Sequence, residues 1–307
     1  LRNLRQFEIA IEIEKYGSIS KAADALRIAQ PTLSKLLQKT ERELGLELFD
    51  RTTVPIKLTP AGEKYIAAGR KIIDADHQLQ KELDEIRTNR SGVVKIGISP
   101  SRAPYIMPDI IEKFKSINPE GKVVIKERTT SQLNAELLRG DLDLIISLLS
   151  DGTRGFAQED LFNESILLAV PQSMVELDAL DILRSQPIIN IGKGQRMWKV
   201  MNSILDYAGG AEPVIECQSI ESALALVKKG FGAMIVPSYI VEYGNVNQNE
   251  EVFFKELPSE VGKQIGSELE RKVCIFYRKE QFLTSAEKAF IEACKIATAG
   301  EGAKVRL

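Results

Sequence analysis

Apolar residues in the first part of this chain repeat at a helical period. Leu4, Phe7 and Ile11 fall at i, i+3 and i+7, with Ile9, Ile13 and Tyr16 widening the stripe. A helix is therefore predicted over 4–16, and Gly17 stops it. Ser18 is a good N-cap for a second, short helix, "ISKAADAL", with Ala22, Ala23 and Leu26 inward. A third helix opens at Gln30–Pro31. Proline belongs in a first turn, where its missing N–H costs nothing, so this helix begins sharply. Leu33, Leu36, Leu37, Thr40 and Leu44 form its inner stripe, and Thr32, Lys35, Lys39 and Arg42 share the opposite face. Gly45 ends it as a left-handed cap.

"LELFDRTTVPIKLTP" reads as two short strands around a Thr-Thr-Val-Pro turn, a small hairpin or wing. Thr59–Pro60 opens another helix that runs to about residue 88, roughly 43 Å at 1.5 Å per residue. Tyr65, Ile72, Leu79 and Ile86 stand seven apart along it, an apolar seam suited to dimerisation.

Beyond the linker "NRSGV" at 89–93 the pattern changes. "VVKIGI", "KVVIKE" and "LDLIIS" are strand patterns separated by helical stretches, the order of a parallel sheet. After "ESILLAVP" a second set follows, with "PIINIG", "PVIEC" and "AMIVP" between helices; "RKVCIFYRK" and "SAEKAFIEACKIA" close the chain. The pattern predicts an N-terminal all-α unit with a wing, then an α/β part of two lobes around a cleft. The expected division is 1–58 for the winged helix-turn-helix, 59–90 for the linker and dimerisation helix, and 91–307 for the two-lobed domain. One lobe is expected at about 91–163 and 268–307, the other at about 164–267.

Composition narrows the function. Apolar runs such as "ILLAV" fall far short of the about 20 residues that cross a bilayer. Glu8, Glu12 and Glu14 are foreign to a secretory leader, so a cytoplasmic protein without a membrane partner is expected. Cys217, Cys274 and Cys294 are odd in number and widely spaced, which gives neither a disulfide framework nor a metal motif. The single histidine, His77, stands on the long helix with no evident partner. GxSxG, Walker A and HExxH patterns are absent, so no catalytic residue, metal or cofactor is expected. Net charge is −2, but residues 26–42 hold Arg27, Lys35, Lys39 and Arg42 against Glu41 alone, a local +3.

Two helices joined by a tight turn, the second polar on its open face, suit a helix-turn-helix whose recognition helix enters the major groove by its N-terminal end. Gln30, Thr32, Ser34 and Lys35 stand at that tip behind Pro31. Gln pairs bidentately with adenine, and hydroxyls donate to or accept from several bases. Lys39, Arg51 and Lys57 suit phosphates, which give affinity rather than sequence choice. In the α/β part, ligands collect at the carboxyl ends of parallel strands. Ser99, Pro100, Ser101 and Arg102 follow the first strand, Thr129 and Thr130 the second, and Ser147 lies at the end of the third. In the second lobe, Ile191, Gly192 and Lys193 (within 191–194) and Gln218 with Ser219 hold the equivalent places. Hydroxyls and helix N-termini there suit a small anion, though the same hydroxyls also serve as ordinary N-caps, and Arg102 suits either a carboxylate or solvent.

The N-terminal run "GSISKAADAL…IAQPTLSK…ELG…LF…RT…LT…AG", together with "LRGDLDLIIS", "ILLAVP", "SIESALALVKKGFGAMIVP" and "FYRK", resembles the LysR-type transcriptional regulators over essentially the whole chain. The resemblance implies a winged helix-turn-helix and a two-lobed effector domain like the type 2 periplasmic binding proteins. It implies a homo-oligomer, usually a dimer of dimers, on double-stranded promoter DNA, with RNA polymerase as a further candidate partner and a small effector, a carboxylate or other anion, in the cleft. Gln30, Pro31, Thr32, Ser34 and Lys35 match the family's DNA-reading helix, and Arg51 and Thr53 its wing; with Ser18, Lys39 and Lys57 these form the candidate DNA-contact set. Two other classes compete: a small-molecule-binding protein whose N-terminal helices dock a protein, and an enzyme working in the cleft.

Overall fold

The computed structural model describes residues 4–88, 92–193, 196–210, 212–243, 251–265, 269–279 and 281–299. The expected linker residues 89–91 and Gly194 lie outside this set, as do the side chains of His77 and Ile86. The chain divides into two compact units, 1–87 and 88–307.

In the first unit, α1 (Leu4–Tyr16), α2 (Ile19–Ala25) and α3 (Gln30–Leu44) precede a hairpin of β1 (Phe49–Asp50) and β2 (Lys57–Leu58). The helix α4 (Pro60–Thr88) follows. Of the stripes that the spacing predicted, Phe7, Ile9, Ile13, Leu33, Leu37 and Thr40 are buried and Ile11, Leu36 and Leu44 partly so, whereas Tyr16 is exposed; Leu48, Phe49 and Ile66 complete the core. Ala22 and Ala23 are fully enclosed, so α2 sits close to its neighbours. Ser18 Oγ accepts from Lys21 N at 3.4 Å, capping α2, and Thr59 Oγ1 accepts from Gly62 N at 3.0 Å, capping α4. Ala29 gives α3 no side-chain cap; Pro31 in the first turn removes one donor that would need one. Gly17 (φ +57°) permits the tight turn before α2, where a Cβ would stand 2.7 Å from that of Pro55.

One expectation for α4 needs correction. Tyr65 is not available to a dimer seam: it is 7% exposed and stacks on Phe7 with ring centroids 4.8 Å apart. Its first turns belong to the N-terminal core, and Gly69 lets Phe7 nest against the helix, since a Cβ there would meet Phe7 Cδ1 at 2.5 Å. Farther along, Ile72, Leu79 and Leu83 are 45%, 50% and 44% exposed.

The second unit opens with β3 (Val93–Ile98), α5 (Ala103–Ile117), β4 (Lys122–Glu127), α6 (Thr130–Arg139) and β5 (Leu144–Leu148). The long β6 (Phe156–Pro171) leads to α7 (Ala179–Ser185), β7 (Ile189–Ile191), α8 (Arg196–Ala208), β8 (Ile215–Cys217) and α9 (Ile220–Lys228). After these come β9 (Met234–Pro237), α10 (Tyr239–Tyr243), β10 (Val252–Glu256), α11 (Ser259–Ile265), β11 (Glu270–Arg278) and α12 (Ser285–Thr298). The main sheet is mixed rather than purely parallel, in the order β10-β6-β11-β5-β3-β4, with β9 also on β6. β3 is parallel to β4 and β5, whereas β11 is antiparallel to β5 and β6. A separate parallel pair, β7–β8, serves the second lobe.

β6 joins the two lobes. Its first part pairs with β11 from Phe156 to Ser165, and its last part pairs with β9 and β10. One core lies around Val94, Ile96, Ile110, Phe114, Ile146 and Phe290, the other around Leu168, Ile182, Ile189, Ile204, Val227 and Ile235.

Candidate nucleic-acid interface and cavity

The N-terminal tip of α3 is open. Gln30, Pro31, Thr32 and Lys35 are exposed and Ser34 is half-buried, while Leu33 and Leu37 on the other side are sealed in the core. The first-turn N–H groups and these side chains thus face away from the packed stripe, as a groove-entering helix requires. Lys39 is exposed and stands 3.9 Å from Glu43, a loose surface pair that leaves it available. Lys57 is exposed on β2, and Thr53 donates to Pro55 O at 3.1 Å within the wing turn.

The structure gives Arg51 a second task. Its guanidinium pairs with Glu41, whose other oxygen accepts from Leu48 N at 2.9 Å. Glu41 is 9% exposed, so this carboxylate ties α3 to the start of the wing. In the sequence pattern Glu41 counts only as a charge; the signal of its role is its place on the boundary of the Leu33–Leu37–Leu44 stripe.

In the second unit a cavity of about 770 Å³ opens at the carboxyl ends of β3, β4, β5, β8 and β9. Ser99, Pro100, Ser101, Arg102, Thr129, Thr130, Ser147, Gln218 and Ser219 all line it. Thr129 also caps α6 in a capping box with Gln132, and Ser219 Oγ caps α9 by accepting from Ser222 N at 3.1 Å. The capping and lining roles coincide because the helices begin at the cavity wall.

Ile191, Gly192 and Lys193 are not among its lining residues, a correction to the strand-end reasoning. Ile191 is buried in its lobe's core, Gly192 is covered by Gln218, and Lys193 turns outward over the Trp198 ring at 5.9 Å. Lining residues that the sequence pattern missed include Arg128, Met197, Lys199, Glu221, Tyr239 and Arg271.

Behind the wall lies a buried charge cluster. Arg102 Nη2 donates to Glu164 Oε2 at 2.9 Å, and Arg271 Nη2 stands 2.6 Å from Glu164 Oε1. Arg271 Nη1 reaches the Met197 sulfur at 3.4 Å. The Arg102 guanidinium lies over the Tyr239 ring at 5.0 Å, and Tyr239 Oη donates to Ser101 O at 3.1 Å. Burial works against the Arg102 cation most strongly of any one influence, but the charge and hydrogen bond of Glu164 together with Tyr239 outweigh it, and its pKa moves upward. Burial likewise pushes the Tyr239 and Tyr105 phenols up, with Glu221 adding to the effect on Tyr105. Glu164 and Arg271 face each other across β6 and β11, the strands that cross between the lobes. The legible signal is a charged residue beside otherwise apolar runs, "NESILLAVP" and "ERKVCIFY". Among the described residues no cluster of His, Cys, Asp and Glu is suited to a metal ion, and no helix is long and apolar enough to cross a membrane.

The comparisons with known proteins cover both units. Residues 4–63 match the model for the bacterial regulatory helix-turn-helix proteins of the lysR family, and residues 87–299 match the LysR substrate binding domain. The DNA-binding transcriptional dual regulator OxyR of Escherichia coli K12 is 28% identical over 244 residues, covering 78% of this chain and 80% of the relative. YcgK, an uncharacterized HTH-type transcriptional regulator of Bacillus subtilis 168, is 27% identical over 316 residues, covering 94% and 93%. Among solved structures, a full-length OxyR variant of Pseudomonas aeruginosa superposes with a TM-score of 0.69 at 21% identity over 96% of this chain and 95% of the other. Full-length CbnR complexed with its target DNA gives 0.58 at 20% identity over 96% and 100%. Both share the fold. Matched at both its helix-turn-helix and its substrate-binding domain, the chain belongs to the LysR-type transcriptional regulators, DNA-binding proteins with an effector-binding domain.

Proposed function

We propose that α3 reads operator DNA and that a small anion in the cavity switches the assembly between two arrangements. The observation that carries this reading is the exposed tip Gln30, Thr32 and Lys35 on a helix whose opposite side is packed into the core through Leu33 and Leu37. Gln30, Thr32, Ser34 and Lys35 read base edges, while Lys39, Lys57 and the remaining N–H groups of Arg51 hold phosphates, with Ser18 and Thr53 shaping the turns beside them. The CbnR structure with its target DNA supports DNA as the partner by analogy. The regulator works in the cytoplasm as a homo-oligomer, with the exposed part of α4 pairing its copies, and acts on transcription by RNA polymerase. The effector shifts the equilibrium only as far as it binds one arrangement better than the other.

A salt titration against the DNA upstream of its own gene tests the reading. A protein neutralising several phosphates loses about a thousandfold or more in affinity between 50 and 200 mM salt. Lys39→Ala should weaken all DNA about equally and reduce the salt slope by about 1. Gln30→Ala should instead erase about 1–3 kcal/mol of preference at one base pair. A flat salt response, or equal affinity for random sequence, overturns the reading. Several relatives are named hydrogen peroxide-inducible genes activators. The buried thiols of this chain favour a ligand over peroxide as its signal: burial pushes Cys274 up to about 12 and raises Cys294 as well, and the two sit in separate core clusters.

A further inference from the structure

Among the described residues, five helices close with the same pair of backbone bonds. At the end of α2, Arg27 N donates to Asp24 O at 3.1 Å and Ile28 N donates to Ala23 O at 3.0 Å. These bonds satisfy two carbonyls of the last turn, and they require the residue just past the cap to adopt the left-handed conformation. In α3, α6, α8 and α9 that residue is a glycine: Gly45, Gly140, Gly209 and Gly230, with φ between +64° and +82°. In α2 it is Arg27, at φ +53°, the one residue other than glycine with a positive φ among the described residues. A Cβ in this conformation crowds the following carbonyl oxygen, so a side chain here lowers stability where glycine would not.

The fold takes nothing from the Arg27 side chain in return. It is exposed and makes no hydrogen bond or ion pair among the described residues. Neighbouring cations are engaged: Lys39 stands by Glu43, Arg51 pairs with Glu41, and Arg42 Nε donates to Gln38 O at 3.3 Å. A strained residue that its own fold does not use points to a use outside the fold. Its place says which. Arg27 stands three residues before Gln30, on the turn that joins α2 to the open tip of α3. In a helix-turn-helix the second helix enters the groove by its N-terminal end, while the first crosses the sugar-phosphate backbone. The turn between them therefore passes the rim of the groove, where phosphates stand and base edges do not.

We propose that Arg27 is a phosphate clamp of the DNA complex, carried at the groove's rim on a left-handed turn that it destabilises. The inference rests on reading α3 as the helix that enters DNA, and adds a residue that gives affinity without sequence choice. A guanidinium suits a phosphate by its charge and by its fork of N–H donors.

The test uses the full-length chain and two duplexes, the DNA upstream of its own gene and a random sequence of equal length, each titrated with salt. Arg27→Gly removes both the cation and the strain. Arg27→Gln removes the cation and keeps a side chain in the turn, and Arg27→Lys keeps a cation. The Gly and Gln variants should weaken both duplexes about equally and make log affinity fall less steeply with log salt, by about 0.9 in slope. Between about 50 and 200 mM salt they should therefore lose about threefold less affinity than the wild type does. Arg27→Lys should keep the wild-type slope. The protection factor of the Ile28 amide against hydrogen exchange should rise about two- to fivefold in Arg27→Gly. A variant that is better protected yet binds DNA less well separates the contact from folding. Wild-type slopes in Arg27→Gly and Arg27→Gln, an equal loss of slope in Arg27→Lys, a loss confined to the upstream sequence, or protection that does not rise in Arg27→Gly each overturn the clamp. A flat salt response of the wild type sinks the DNA reading itself, whereas a steep wild-type response matched by equally steep variants sinks the clamp alone.

Discussion

Glu41 shows how much one residue's surroundings decide. On a helix drawn by itself it is one acidic side chain among basic ones. In the fold it is nearly enclosed, accepts from Leu48 N at 2.9 Å and pairs with Arg51. Removing it leaves the Leu48 N–H without an acceptor, a loss of about 1–3 kcal/mol. Glu41→Ala should therefore speed hydrogen exchange at Leu48 and its neighbours about 5- to 150-fold. Glu41→Gln keeps an acceptor and should recover most of that protection. Both variants free Arg51, so both should alter DNA affinity through the wing; unchanged exchange in Glu41→Ala would show that the tie is not holding α3 to the wing. The open face of α3 was legible because polar residues at helical spacing have few other uses beside a basic stripe. Glu164 and Arg271 gave only a faint signal, a charge beside an apolar run, because what holds them buried is a partner far away in sequence, and Glu41 gave only its place at the edge of a stripe, because its partners lie on the wing.

At the scale of elements, α4 divides its apolar residues between two tasks that spacing alone does not separate. Tyr65 and Ile66 close the N-terminal core, whereas Ile72, Leu79 and Leu83 remain open in a helix of 29 residues. A seam of that kind left in water is unfavourable by roughly 25 cal/mol per Å² of apolar area, which favours a second copy. Ile72→Glu combined with Leu79→Glu should shift the protein from oligomer toward monomer in sedimentation or mass photometry and weaken DNA binding through lost bivalency. Tyr65→Ala should instead destabilise the N-terminal unit itself by about 3 kcal/mol or more. If the double substitution leaves the assembly size unchanged, the exposed seam is not the pairing surface. Strands such as "VVKIGI" and "AMIVP" were legible as short apolar runs. The first part of β6 was not: "FAQEDLFN" places Gln158, Glu159 and Asp160 in a row with no apolar alternation, and it is a strand because β11 pairs along it.

For the whole molecule, the cysteines separate a ligand switch from a thiol switch. Cys294 packs in the first lobe's core, Cys274 lies in a second cluster with Leu133 and Phe276, and Cys217 borders the other lobe's core. Burial foremost, then the hydrogen bond to Asp160, raises Cys274 to about 12, so at pH 8 the thiol stays protonated. Thiolate, not thiol, is the reactive form, so the fold withholds both buried cysteines from oxidation as well as from one another. Native protein treated with iodoacetamide at pH 8 should therefore be labelled at Cys217 alone, and protein unfolded in guanidinium at Cys217, Cys274 and Cys294 together. Cys217→Ser should leave DNA affinity unchanged before and after peroxide treatment. Rapid native labelling of Cys274 or Cys294 would mean that the lobes open far enough to expose their cores. The response would then run through global opening rather than through a ligand bound in the cavity.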